Sequence, residues 1–155
     1  MKEYDIGYPH SKAPRILNEG SRTITSKITA WGLGQEYYDG ARENGYGGYR
    51  YDGRWAKIMP SIISEYKLDS KSSVLDLGCK KAFFMHDLKE ALPGVRVKGV
   101  ENHPYPIEHA MESVKEDIVL CPYEKLPFED NSFDFIMAFA SIYMLSFGGV
   151  LSALR

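Results

Sequence analysis

The chain has 155 residues, 44% of them hydrophobic, with 19 basic and 21 acidic side chains and a formal net charge of -2. That length suits a single domain that needs no disulfide or metal staple, and the charge argues against a broad basic footprint for nucleic acid. The two cysteines, Cys79 and Cys121, stand outside any CxxC pair and the four histidines are scattered, so no metal site is expected and the thiols read as reduced in a cytoplasmic protein.

The N-terminal MKEYDIGYPHSK lacks the apolar core of a signal peptide. No apolar run approaches the roughly 18–20 residues of a membrane span. Residues 21–31, SRTITSKITAW, suit a short helix or a strand, and the pattern does not choose between them. Residues 36–55 are dense in Tyr and Gly, with turn signals at Gly47-Gly48 and Asp52-Gly53. Flat side chains with polar tips and a permissive backbone suit a lid or substrate-facing loop, or a surface loop packed on the domain. Residues 1–55 are therefore expected to form an N-terminal lid or substrate-facing segment, and 56–155 the main domain.

Residues 55–68 predict a helix, with Trp55, Ile58, Met59, Ile62, Ile63 and Tyr66 on one face and a break or fresh start at Pro60. From there strand-like and helix-like stretches alternate: strand 74–77, helix 82–92 ended by Pro93-Gly94, strand 95–101, helix 105–115, strand 117–120, strand 133–140 and a helix from 147. This alternation predicts an α/β fold, a Rossmann-like parallel sheet with flanking helices.

In such a sheet, ligands sit beyond the carboxyl ends of the strands. The first strand ends in Asp76-Leu77-Gly78-Cys79, where Gly78 permits close backbone approach. The second ends in Glu101, at an offset where an acid accepts from both hydroxyls of a ribose, followed by Asn102. The third runs into Cys121-Pro122-Tyr123, with Tyr123 placed for the base of a nucleoside. No GxGxxG follows the first strand, which argues against a nicotinamide enzyme. Cys79 has no histidine nearby in sequence and reads as a small turn residue rather than a nucleophile.

The series VLDLGC, VKGVE and EKLPFEDNSFDFI resembles the class I S-adenosylmethionine-dependent methyltransferases of small-molecule type, over about 72–155. CKKAFFMHDLKEALPG resembles a subgroup with a Cys-x-Lys-Gly first loop, and YGGYRYDGRW resembles that subgroup's N-terminal portion. The resemblance implies S-adenosyl-L-methionine as cofactor, S-adenosyl-L-homocysteine as product and a small-molecule acceptor, and the Tyr-rich N-terminal region suggests that this is a sugar or other polar metabolite. It implies that Asp76 and Gly78 lie at the methionine part of the cofactor, with Cys79 and Lys81 shaping the loop. Lys81, rather than Lys80, is expected to reach the cofactor's carboxylate. Glu101 would hold the ribose, Cys121 to Tyr123 would lie near the adenine, and Ala138 to Ala140 would face the transferring methyl group.

Three departures bear on this expectation. Lys80-Lys81-Ala82 stands where the family carries glycines, and Pro122 where it often has an acid or amide. Tyr143 stands where relatives often carry a histidine; with a phenol pKa near 10 it would orient a substrate rather than act as a base. The chain stops in the helix after the fourth strand, so the core is an incomplete one. The favoured expectation is a truncated or incompletely represented chain, with a partially ordered chain, or a homo-oligomer or partner that covers the open fourth-strand edge, as the alternatives. A cofactor-binding but inactive domain, or a fragment acting with a partner, is the alternative reading.

Overall fold

The computed structural model describes residues 5–9 and 22–153. Four strands, Ser73–Leu77 (β1), Arg96–Glu101 (β2), Ile118–Leu120 (β3) and Phe135–Met137 (β4), form one parallel sheet in the order β3-β2-β1-β4. β1 is buried at all five positions, Ser73 and Asp76 included, as a central strand flanked on both edges and both faces should be. Alternate side chains point to opposite faces. Val74 joins a cluster with Trp55, Met59, Ile62, Phe84, Met85 and Leu88, and Leu75 and Leu77 join another with Val100, Tyr123 and Ala153.

The first cluster is roofed by helices Arg54–Tyr66 (α3) and Phe83–Ala91 (α4); the second lies under Phe147–Ala153 (α6). Gly99 on β2 lets α4 approach the sheet, since a Cβ there would sit 2.5 Å from the Met85 sulfur and 2.8 Å from that of Cys79. Among the described residues no helix is long and apolar enough to cross a membrane.

The undecided stretch near residue 24 is a helix, Ile24–Trp31 (α1), capped by Thr23, whose hydroxyl accepts from the Ser26 N–H at 3.1 Å. Pro60 does not break α3. It sits on the exposed face of the helix, as does Ala56 four residues before it. The expected helix over 105–115 is instead a short helix, Pro104–Glu108 (α5), and a separate 3₁₀ turn over Glu112–Asp117. Between them the Met111 N–H leaves the helical ladder and donates to the Lys81 carbonyl at 3.1 Å. β4 is three residues long, shorter than the stretch 133–140.

The Tyr- and Gly-rich segment, with the one-turn helix Gln35–Tyr38 (α2), packs on the domain rather than standing off it. Tyr38 is buried, Tyr49 stacks on Phe83 with ring centroids 4.9 Å apart, and Tyr8 meets Trp55 at 4.9 Å. Buried Asp87 on α4 is its anchor: it accepts from the Tyr51 hydroxyl at 2.5 Å and from the Ala56 N–H, in the first turn of α3, at 2.8 Å. Charge-assisted bonds of this kind contribute more than neutral ones. Asp87→Ala is expected to destabilise the fold by about 2–3 kcal/mol in urea denaturation, with Asp87→Asn recovering part. A loss under about 0.5 kcal/mol would remove Asp87 from this role.

Candidate functional site

The carboxyl ends of the four strands bring together the residues the sequence singled out. After β1, Gly78 takes φ +82°, and its N–H and that of Cys79 both donate to the Val100 carbonyl, at 2.8 and 3.1 Å. A Cβ on Gly78 would fall 2.3 Å from the Cβ of Ser141, so the glycine lets the segment after β4 close onto this loop. Lys80 and Ala82 also lie in the left-handed region, at φ 55° and 60°. Side chains there cost on the order of 1 kcal/mol or more each, and such strain collects at functional loops.

Glu101 ends β2 and is only 2% exposed. Its Oε2 accepts from the Lys80 N–H at 2.9 Å; its Oε1 accepts from the Asn102 N–H at 2.8 Å and the Tyr123 hydroxyl at 3.0 Å. Burial, the Glu101 charge and that hydrogen bond together hold the Tyr123 phenol protonated well above its ordinary range.

Asp76 is 5% exposed and has no hydrogen-bond partner among the described residues. Burial pushes its carboxyl up to about 7, against the pull of the Lys80 ammonium and with a smaller push from Glu101. Lys80 reaches back over the loop. Its Nζ donates to the Phe139 carbonyl at 2.9 Å and the Gly78 carbonyl at 3.3 Å, tying the end of β4 to the end of β1. Burial lowers its pKa, while Asp76 and Glu101 oppose that shift. Burial also raises the Cys79 thiol well above its usual value, which leaves it a poor nucleophile.

Two cavities open at this end of the sheet. One, of about 370 Å³, is bounded by Asp76, Cys79, Phe83, Phe139 and the segment from Tyr46 to Trp55. The other, of about 170 Å³, is bounded by Glu101, Asn102, Tyr123, Tyr38 and Ser141. Gly78, Lys80 and Ala140 line both, so the Lys80 side chain stands at their common wall. The Ser141 hydroxyl is buried without a hydrogen-bond partner.

Other expected residues sit elsewhere. The Lys81 ammonium pairs with Asp39 at 2.6 Å, in a bond shared with the Tyr105 hydroxyl, and lines neither cavity. The lysine that reaches the cleft is Lys80, because its left-handed backbone turns the side chain toward β4. Pro122 is exposed and Cys121 half-buried; neither borders a cavity. Ala138 packs against the Leu75 and Leu77 cluster, and its neighbours Phe139 and Ala140 face the larger cavity. Tyr143 is 69% exposed in a 3₁₀ turn, outside both linings and outside the core. The sequence reading missed Lys80 as a bridging group, and Arg42, Arg50 and Arg54 as cavity residues. The signal available for the arginines was their interleaving with Tyr and Gly in 42–54.

A family model described as a methyltransferase domain matches residues 75–153, just over half of the chain, from inside β1 to the end of α6. Similar solved structures include an S-adenosyl-L-methionine-dependent methyltransferase from Aquifex aeolicus, with a TM-score of 0.51 and 21% identity over 68% of this chain and 66% of that one. A protein from Methanococcus maripaludis assigned to the same activity gives 0.57 and 18% identity over 65% and 48%. The MccD protein gives 0.54 and 22% over 62% and 44%. At these identities the likeness carries the fold, and the chain spans less than two thirds of each of them. No curated protein matches the chain.

The raised Asp76 pKa has a stability consequence. The folded state binds more protons than the unfolded chain between about pH 4 and pH 7, so stability is lost as pH rises through that window. Asp76→Asn removes the titration. The ligand-free wild type is therefore expected to lose Tm relative to the variant between about pH 5 and pH 8, and a difference that is flat or grows with pH would contradict the assignment.

Proposed function

Because the chain belongs to the methyltransferase-domain family, we propose that it binds S-adenosyl-L-methionine across the carboxyl ends of β1 and β2 and passes its methyl group to a small polar acceptor, such as a sugar. The observation that carries this reading is Glu101: a carboxylate almost wholly buried at the end of β2, bordering a cavity beside a left-handed Gly78. The residues present fit the cofactor. The Asp76 carboxyl, without a hydrogen-bond partner among the described residues, and the buried, unsatisfied Ser141 hydroxyl both border the cleft, and an unsatisfied buried group such as the Ser141 hydroxyl calls for a ligand.

When bound, the cofactor supplies an already electrophilic methyl group, so the work left to the chain is binding and alignment. On this reading Glu101 takes the ribose hydroxyls, Tyr123 and Asn102 border the base end, and Asp76 and Gly78 hold the methionine end. A carboxylate offers about four acceptor positions, and three on Glu101 are in use. Two ribose hydroxyls need two, so Tyr123 gives up its bond as the ribose arrives. The segment up to about residue 55 forms the acceptor side, and the open edge of β4, where Ile136 is 52% exposed, is covered by further strands or a second copy.

A second reading, a binding-only relative, is favoured by one feature. The Lys80 ammonium ties β1 to β4 across the wall between the cavities, where a cofactor reaching from Glu101 to Asp76 must pass. Calorimetry with S-adenosylhomocysteine tests the main reading. The wild-type chain is expected to bind, Glu101→Gln to bind at least about tenfold more weakly, and Tyr123→Phe to bind as well as or better than wild type. Equal binding by wild type and Glu101→Gln would sink the ribose assignment. Lys80→Ala with a large gain in affinity, and methyl transfer seen only in that variant, would establish the second reading.

A further inference from the structure

The larger cavity is charged in a way the chain as a whole is not. The chain is net -2, yet Arg42, Arg50, Arg54 and Lys80 line this chamber against one acid, Asp76. The four cations differ in what already occupies them. Arg54 is spent on Asp52, at 2.5 Å, and on the Tyr8 hydroxyl at 3.1 Å. Lys80 is held by two carbonyls, with Asp76 and Glu101 acting on it. Arg42 donates to the Gly45 carbonyl, which does not neutralise it. Arg50 has no hydrogen-bond or ion-pair partner among the described residues.

The walls carry flat aromatic rings. Tyr46, Tyr49, Trp55 and Phe83 border the chamber, and Trp55 is 5% exposed. A volume of about 370 Å³ falls within the usual range for small-molecule sites. Cations at the rim of a cavity with low-dielectric walls concentrate anions, and a guanidinium matches the planar geometry of a carboxylate or phosphate. Aromatic faces favour a ring over an extended chain.

Resting on the reading that the cofactor's nucleoside lies in the neighbouring cavity and only its methionine end enters this chamber, at Asp76, we propose that the rest of the chamber holds the methyl acceptor and that the acceptor is a ring-bearing oxyanion. Its carboxylate or phosphate sits on Arg50, with Arg42 beside it, and its ring lies against the Tyr49, Trp55 and Phe83 wall. This narrows the acceptor from polar metabolites in general to anionic ones. The rival source of the same chemistry is the cofactor's own carboxylate, which Lys81, paired with Asp39, leaves without its expected partner.

Trp55 reports on the chamber once the other tryptophan, the 74% exposed Trp31, is replaced. The full chain carrying Trp31→Phe is titrated with phenyl phosphate against phenol, benzoate against benzyl alcohol, and glucose 6-phosphate against glucose, each with and without S-adenosylhomocysteine. At least one anion is expected to perturb Trp55 fluorescence saturably and to bind at least about tenfold more tightly than its neutral counterpart. Arg50→Gln is expected to abolish that preference while S-adenosylhomocysteine and 5′-methylthioadenosine bind both proteins within about twofold. No anion preference in any pair overturns the proposal. A loss for S-adenosylhomocysteine but not methylthioadenosine on Arg50→Gln assigns the arginine to the cofactor and also overturns it. Failure of S-adenosylhomocysteine to bind at all counts against the cofactor reading, and the titrations run without it still decide the anion preference.

Discussion

A carboxylate in a protein interior survives only if it is met by donors, and Glu101 sets that requirement at the centre of this molecule. Its three donors come from three separate places: the Lys80 N–H in the loop after β1, its own neighbour Asn102, and Tyr123 in the loop after β3. Satisfying one side chain therefore fixes the relative positions of three strand ends. It also accounts for the left-handed backbone at Lys80, since that conformation accompanies an N–H turned toward β2 and an ammonium turned toward β4. The strain in the loop is the counterpart of the bonds that the loop makes.

The Tyr- and Gly-rich segment is attached to this centre by polar contacts as well as by stacking. Asp39 gathers Lys81, the Tyr105 hydroxyl and the Tyr49 N–H, and Asp87 gathers Tyr51 and the start of α3. Each carboxylate joins a residue of the segment to the sheet domain. The segment packs as a wall, with Tyr49 stacked on Phe83, Tyr38 stacked on Tyr46 and arginines left at the rim. One cavity is consequently acidic at its floor and closed by Tyr123, while the other is aromatic and cationic. That division suits the proposed placing of a nucleoside on one side and the acceptor on the other.

The parallel sheet was legible because buried strands and amphipathic helices carry periods that do not depend on distant residues: VLDL, VKGVE and the Trp55 to Tyr66 face each declare themselves locally. The acids at the strand ends were legible for the same reason, Glu101 most of all. Pro60 and the helix after Pro104 misled because their outcome depends on neighbours. The exposed position of Pro60 accompanies its place inside α3, and a carbonyl on Lys81 draws Met111 out of a helix that its spacing favours. Lys80 and Lys81 are adjacent and chemically alike, so nothing in their order said that one would cross to Phe139 and the other to Asp39.

By itself, then, the amino-acid sequence determined the α/β class, the sheet's strands and the acids and glycine at its carboxyl edge, since each follows from local pattern and from the alternation of elements. Only the tertiary structure decided which lysine enters the cleft, that Asp76 lies buried with no hydrogen-bond partner among the described residues, that Tyr143 is exposed, and that three arginines gather at one chamber. Those outcomes turn on the direction of single side chains at chain crossings, which backbone conformation and long-range hydrogen bonds set and which residue spacing does not encode.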